Sequence, residues 1–414
     1  MASRVHVIGA GLAGLSAAVT LAESGRPVVV YEAGQAAGGR CRSYFDRELG
    51  CRIDNGNHLV LSGNGAVLGY LRRIGAEQTL IGPGEPLFPF LDRRSGQRWV
   101  LRLNRGRVPW WVLDPHRRVP GSRWFDYLGL LAVFGARDGA TVAEVLGANR
   151  LFRPLFAPLA IAALNTEAEH GSAALFASVV KETLLAGGAA CLPLYPREGL
   201  SESFVDPALA FLAARGAELF FGRRITRLVV ESQRVTALGT TGEAIALGAD
   251  DQVVLAVPPW IAAELLPGII VPDQFAPILN IHFRVQADAA PAGFVGIIGG
   301  VAEWIFAKKE VVSVTISAAN RLVDQPAETI AASVWPDVAA ALELSGPMPP
   351  YRVVKEKRAT FAATPAQNRR RPGPRIGVSN LALAGDWTAT GLPGTIEGAI
   401  RSGETAARLL MNPV

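Results

Sequence analysis

The chain opens with a β-branched run, Arg4 to Gly9 (RVHVIG), that closes on glycine and passes into a helical pattern from Leu12 to Glu23. A second apolar run, Pro27 to Tyr31 (PVVVY), follows, and the succession predicts a βαβ unit. Glu32 ends that strand, GQAAGGRCRS reads as a Gly-rich basic loop, and Cys51 to Leu61 (CRIDNGNHLVL) reads as a strand running into a polar turn. A helix is expected from about Ala66 to Ile74. Residues 81 to 135 carry Pro, Arg and aromatics together and depart from a dinucleotide-fold pattern, whereas Thr141 to Gly187 is helical and apolar, with Asn165 and Thr166 as an interruption. We read the latter as a helical cap. Residues 217 to 257 read as consecutive strands of a small antiparallel sheet. Residues 278 to 320 read as further antiparallel strands, with a turn near Lys308, Lys309 and Glu310, that floor a substrate domain. RRRPGPR is then a basic loop, LALAG (381 to 385) a buried strand and Thr395 to Leu410 a closing helix.

Composition narrows the class. At 414 residues, 50% hydrophobic and 19% charged, the chain is too apolar for disorder and long enough for two or three domains. Its 44 glycines and 28 prolines show no period, which excludes collagen-like and linker-dominated readings. Three cysteines, Cys41, Cys51 and Cys191, cannot frame a disulfide scaffold, and no two stand at zinc-ligand spacing, so a reduced, metal-free protein is expected. The uncharged stretch Val5 to Ala22 has the length of a signal-peptide core or a short membrane span, but His6, Ser16, Thr20 and its spaced glycines fit a strand and a helix. The net charge of +5, 41 Lys and Arg against 36 Asp and Glu and carried mostly by Arg, raises a nucleic-acid or an anionic-membrane partner. Because those arginines are spread along the chain, no nucleic-acid partner is expected.

The chemistry begins at Gly9, Gly11 and Gly14, a GxGxxG placed where a strand gives way to a helix: the first glycine permits the turn, the second admits pyrophosphate and the third packs helix on strand. Helix-start amides bind phosphate. Glu32, 18 residues after Gly14 at a strand end, suits a ribose hydroxyl. Near the C-terminus, Gly385 and Asp386 end a strand before a Gly-rich turn and a helix. Asp386 suits a ribityl hydroxyl there, and the helix start at Thr395 and Ile396 suits a flavin pyrimidine that becomes negative on reduction.

These motifs, with Gly38-Gly39-Arg40, AVPP and AGDW...EGAIRSG, resemble the amine oxidase and phytoene desaturase superfamily of FAD enzymes. More narrowly, GGRCRSYFD, IDNGNHLVLSGN, ALNT, CLPLYPREGLSESFVDPA and LAGDWTATGLPGTIEGAIRSGE are similar, nearly end to end, to the hydroxysqualene dehydroxylases of bacterial squalene and hopanoid biosynthesis. One departure is Gly394, where another small residue such as Ala is the family expectation. The resemblance implies an α/β fold, a Rossmann-type, glutathione-reductase-like FAD domain interleaved with an α+β substrate domain. On that reading residues 1–70, 195–265 and 370–414 form the FAD domain, and 71–194 and 266–369 the substrate domain. It also implies FAD-dependent reductive dehydroxylation of hydroxysqualene. Carried over, Arg40 meets the diphosphate or flavin edge, Ile225 opens a strand and meets adenine through its backbone, and Gly56, Asn57 and His58 lead to the isoalloxazine. The alternatives are a carotenoid or isoprenoid desaturase, an amine oxidase, and a flavin-free isoprenoid carrier.

Removing hydroxide from an allylic carbon needs an acid. His58 is the candidate by type and position, with an ordinary pKa near 6.5. Asn165 is the candidate to hold the hydroxyl, and Cys191 reads as an inert wall residue. The C30 isoprenoid alcohol calls for a long apolar pocket, drawn from segments such as Phe152 to Leu164 and Leu175 to Leu194. Trp110, Trp111 and Trp124, with Arg105, Arg107, Arg117 and Arg118, suit peripheral contact with a membrane surface, and a cytoplasmic protein at the inner membrane face is expected. A single dinucleotide fingerprint leaves the electrons to a separate, unidentified donor.

Overall fold

The computed structural model describes residues 3–287, 292–308 and 310–412. Its first layer is a parallel sheet of five short strands, β1 (Val5–Ile8), β2 (Val28–Tyr31), β3 (Glu218–Phe220), β4 (Gln252–Leu255) and β5 (Leu381–Leu383). Their order is β3-β2-β1-β4-β5, with every neighbour parallel. Connections leave β1 toward β2 on one side while β4 joins on the other. A crevice therefore opens beyond the carboxyl end of β1, the place where doubly wound sheets bind ligands.

The helix Leu12–Glu23 is buried from Leu12 to Ala22 because it lies between this sheet and the closing helix Ile396–Met411. The two helices approach so closely that a Cβ on Gly403 would stand 2.1 Å from the Ala13 carbonyl oxygen. The reading of residues 217 to 257 as one antiparallel sheet is corrected here. Glu218–Phe220 and Gln252–Leu255 belong to the parallel sheet, and only Arg227–Glu231, Arg234–Gly239 and Ala244–Ala246 form a three-stranded antiparallel meander.

The second layer is a seven-stranded sheet in the spatial order Tyr351–Phe361, Phe275–Arg284, Val311–Ile316, Trp304–Lys308, Phe294–Ile298, Leu87–Asp92 and Arg98–Arg102. It is antiparallel except where Phe294–Ile298 runs parallel to Leu87–Asp92. Lys309, in the turn expected between two of these strands, lies outside the described residues. Strand alternation sorts the sheet's two faces. Ile281, Ile305, Val312 and Val314 pack on Ile330, Val334 and Val338 of the helix Ala327–Leu342, which the sequence pattern did not suggest. Asn280, His282, Ser313 and Thr315 point the other way, toward the Asn55–His58 turn. Over the same region lies the cap, with helices Val142–Leu146, Ala157–Leu164 and Ala173–Glu182. Its buried Leu146, Phe156, Leu164, Phe176 and Val180 share a core with Trp111 and Val133.

Candidate functional site

At the carboxyl end of β1, Gly9 has φ +103° and Gly14 has no room for a side chain, since a Cβ there would stand 1.9 Å from the Gly9 carbonyl oxygen. A Cβ on Gly11, by contrast, would meet no atom within 4 Å: the second glycine faces open space where a pyrophosphate would lie. The helix that starts at Leu12 has no side-chain cap, which leaves its first amides to a bound anion. Glu32 Oε2 accepts the Ala10 N–H at 2.8 Å and Oε1 accepts the Gly34 N–H at 2.7 Å, so the carboxylate is clamped beside the glycine turn. Next to it, Arg223 donates its N–H to the Glu32 carbonyl at 2.9 Å. Ile225 follows, buried, with its own backbone unpaired to described residues. The strand opens two residues later, at Arg227, which corrects its expected place at the strand start.

The far half of the crevice is built on Asp386. This buried carboxylate takes a 2.7 Å hydrogen bond from Arg40 Nη2, while Arg40 Nη1 donates to the Ala359 carbonyl. Arg371 Nη2 donates to the carbonyls of Asp386, at 3.0 Å, and Thr388, and to Thr390 Oγ1 at 2.9 Å. Burial lowers the Arg371 guanidinium to about 10. In sequence it belongs to the basic loop RRRPGPR, yet it is the residue that ties down the GDWTAT segment. The Gly385 N–H donates to Ser402 Oγ at 2.8 Å, fixing the strand end to the closing helix. Thr395 caps that helix through a hydrogen bond from the Gly398 N–H at 3.0 Å, and Ile396 is its first residue.

Between the two halves, the Gly56–His58 turn is seated on the second sheet. Asn280 Oδ1 accepts the Asn57 N–H at 3.3 Å and the Thr315 hydroxyl at 2.9 Å, and Thr315 Oγ1 accepts Asn57 Nδ2 at 3.2 Å. A Cβ on Gly56 would stand 3.0 Å from Asn280 Nδ2. Sequence reasoning missed Asn280 and Thr315; polar residues alternating within apolar strands, FAPILNIHFR and VVSVTIS, were the available signal. His58 has no hydrogen-bond partner among the described residues, and burial, with smaller effects from nearby charges, lowers its imidazole to about 4. It is therefore neutral at pH 7.

Asn165 is buried at the end of the helix Ala157–Leu164 with φ 49°. Its Nδ2 donates to the Ala276 carbonyl at 3.1 Å and to Thr360 Oγ1 at 3.0 Å, and its Oδ1 accepts the Ala318 N–H at 2.7 Å. With both amide hydrogens engaged, it works as a joint between cap and sheet and not as the free holder of a substrate hydroxyl that the sequence suggested. Cys191 is buried, and desolvation pushes its thiol up to about 12. Such a thiol is inert.

The flavin-containing amine oxidoreductase family matches residues 12–289 and 299–411. The chain is 49% identical over 413 residues to a hydroxysqualene dehydroxylase of Sinorhizobium fredii, covering 100% of this chain and 99% of that protein. It is 50% identical to one of Rhodopseudomonas palustris, covering 99% of each. The chain belongs to the hydroxysqualene dehydroxylase family. Solved structures agree in fold. An oxidoreductase from Methanosarcina mazei superposes with TM-score 0.73 at 14% identity, covering 98% of this chain and 100% of that one. A putative protoporphyrinogen oxidase from Exiguobacterium superposes with TM-score 0.68 at 17% identity, covering 99% and 98%.

For this dehydroxylase the cofactor is FAD, and the residues fit it. The open space at Gly11, the uncapped helix and the clamped Glu32 suit an adenosine diphosphate half. Asp386, Arg40 and the helix start at Thr395–Ile396 suit the polar ribityl and pyrimidine half.

Proposed function

We propose that this enzyme converts hydroxysqualene to squalene by FAD-dependent reductive dehydroxylation. The observation that carries the reading is the end-to-end similarity to hydroxysqualene dehydroxylases, supported by the open glycine turn after β1 and the apolar core of the cap. When bound and reduced, FAD supplies a hydride. The chain's own residues do the rest. Glu32 binds the adenosine ribose, Asp386 and Arg40 hold the ribityl and diphosphate region, and the backbone of Ile225 meets adenine. Asn57, braced by Asn280 and Thr315, fixes the turn that carries His58 to the flavin edge. A neutral imidazole there can orient by hydrogen bonding, while the proton demand falls on another group.

The substrate carries one polar handle on a C30 chain, so an apolar surround is required to bind it and to keep water from the carbon that loses its oxygen. Half-buried Phe152, Leu159, Leu184 and Trp304 lie along the cap core in a position to supply it. A desaturase or an amine oxidase would run the hydride toward the flavin instead, and a flavin-free carrier would purify colourless. The test is anaerobic: the reduced holoenzyme should be reoxidised by hydroxysqualene with squalene as product, the electrons having come from an external donor.

We also propose that the enzyme docks on the cytoplasmic face of a membrane through residues 108–134. Val108, Trp110, Leu113, Trp124, Phe125, Leu128, Leu131 and Phe134 are exposed there over buried Val119 and Val133. Arg117 lies 4.7 Å over the Trp110 ring and Arg123 lies 5.7 Å from that of Phe125, which places cations at the rim of an apolar patch, as anionic headgroups favour. Trp111 is not part of this surface. It is buried and packs edge-on against Tyr127 at 5.0 Å, which corrects its expected place at the membrane. No helix among the described residues is long and apolar enough to cross a bilayer.

A further inference from the structure

We propose that Glu303 is the acid that gives the departing hydroxyl its proton, an assignment that rests on the dehydroxylase reading above. Glu303 stands immediately before the strand Trp304–Lys308. It is still held within the sheet: its N–H reaches the Thr315 carbonyl at 3.3 Å and its carbonyl accepts the Ile297 N–H at 2.8 Å. The hydroxyl of that same Thr315 holds Asn57. Glu303 is therefore a backbone neighbour of the residue that anchors the Gly56–His58 turn. Its carboxylate Oε2 accepts the Ser317 N–H at 2.7 Å, and the next residue, Ala318, donates to Asn165 at the end of the cap helix. The carboxyl thus sits one residue from the cap joint at Ala318, and its backbone sits beside the Thr315 that holds the cofactor-side turn. Trp304, next in the chain, packs on Phe90 at 5.6 Å and Phe294 at 5.9 Å. It borders both the cap core and the cluster that contains Leu59 and Tyr195.

The carboxyl has no cation to hold its charge among the described residues. The charged groups on the elements around it are engaged elsewhere. Asp337, on the helix behind the sheet, binds Arg93 and the amides of Val301 and Ala302; Lys308, at the far end of the same strand, binds Asp54; Glu167, beyond the cap joint, binds Arg321. Burial without a counter-charge pushes Glu303 up to about 7, so a large share is protonated at neutral pH. His58, lowered to about 4, would offer an imidazolium in only about one molecule in a thousand at pH 7. Of the two, Glu303, linked to the Asn57 turn through Thr315, is matched to the task of a general acid. In the step, the C–O bond breaks with its electron pair passing to oxygen. The Glu303 proton joins that oxygen, and water leaves. The carbon receives the hydride that reduced FAD supplies, and the carboxylate is reprotonated from solvent.

The test compares anaerobically reduced wild-type holoenzyme with Glu303→Gln and Glu303→Asp, alongside infrared difference spectra of the oxidised holoenzymes from pH 5 to 9. Glu303→Gln should retain FAD and slow substrate-dependent flavin reoxidation by about 10² to 10⁴-fold. It should also lose the descending limb of the pH profile near 7, while Glu303→Asp keeps part of the rate. The wild type should show a protonated-carboxyl band that fades as pH rises through about 7 and is missing from Glu303→Gln. A Glu303→Gln rate within tenfold of wild type with an unmoved pH profile overturns the assignment. So does the lack of that band in the wild type, which decides the matter even if the variant does not fold. A wild-type holoenzyme that makes no squalene defeats the dehydroxylase reading itself, and that outcome is distinguishable because the inactivity is then not confined to the variants.

Discussion

Glu32 and Asp386 are both clamped carboxylates, but their protein partners differ, and so do the expected consequences of losing them. Glu32 is held by two backbone amides, Asp386 by the Arg40 guanidinium. Glu32→Ala should weaken FAD binding by about 10 to 100-fold, the equivalent of one charged hydrogen bond to a ribose hydroxyl at about 1.5 to 3 kcal/mol. Asp386→Ala should weaken it at least as much, since it also leaves Arg40 without its carboxylate. Titration of the apoproteins with FAD measures both, and unchanged affinity in either would contradict its placement. His58→Gln should slow flavin reoxidation by less than tenfold and shift the flavin spectrum, because an imidazole already neutral at pH 7 has no imidazolium proton to give; stopped-flow traces at pH 6 and 8 check it. The residues legible in the sequence were those whose chemistry is tied to a local motif, such as Gly9, Gly14 and Glu32. Asn165 was legible as an interruption but not as a joint, because its partners Ala276, Ala318 and Thr360 lie more than a hundred residues away.

Two carboxyls tie the strand Trp304–Lys308 to its surroundings at opposite ends, and they oppose each other in pH. Lys308 Nζ donates to Asp54 Oδ2 at 3.0 Å, and the Lys308 ammonium with the hydrogen bonds from Ser43 and Leu200 outweighs burial and holds Asp54 below the ordinary 3.8. That stabilisation is complete above about pH 4 and is lost as pH falls through the lowered value. Glu303 is the reverse case. Its protonated carboxyl favours the fold fully below about 4.5, and this advantage is lost as pH rises through about 7. The melting temperature of Glu303→Gln should therefore gain on wild type between pH 5 and 8, by an amount corresponding to at most about 3 kcal/mol. Equal melting temperatures across that range would contradict the raised value. Lys308→Met should instead destabilise by about 3 to 5 kcal/mol at pH 7, because it strands a buried carboxylate; denaturant melts measure it. At this scale the sequence read the first βαβ unit and the closing helix well, since their periods are clear and flanked by glycine. It misplaced Glu218–Phe220 and Gln252–Leu255, whose short apolar runs look alike in parallel and antiparallel sheets.

Taken whole, the molecule sets a polar crevice at the edge of one sheet against an apolar cap over another, with an exposed aromatic and arginine surface on the flank formed by residues 108–134. That arrangement suits a substrate that arrives from lipid. Binding to vesicles containing anionic lipid should be strong at low salt and weaken as salt rises, and Trp110→Ser with Trp124→Ser should reduce it while leaving FAD occupancy intact. Co-sedimentation reads the effect, and a double variant that binds as well as wild type would remove the surface from the account. The central claim is the direction of electron flow, and one anaerobic experiment bears on it most directly. The holoenzyme is reduced stoichiometrically with dithionite and mixed with hydroxysqualene in detergent micelles, and flavin absorbance and extracted products are followed together. Reappearance of oxidised flavin with one squalene formed per flavin is the predicted result. A flavin that stays reduced in the presence of hydroxysqualene, or an oxidised flavin that the same substrate bleaches to give a more unsaturated product, would contradict it.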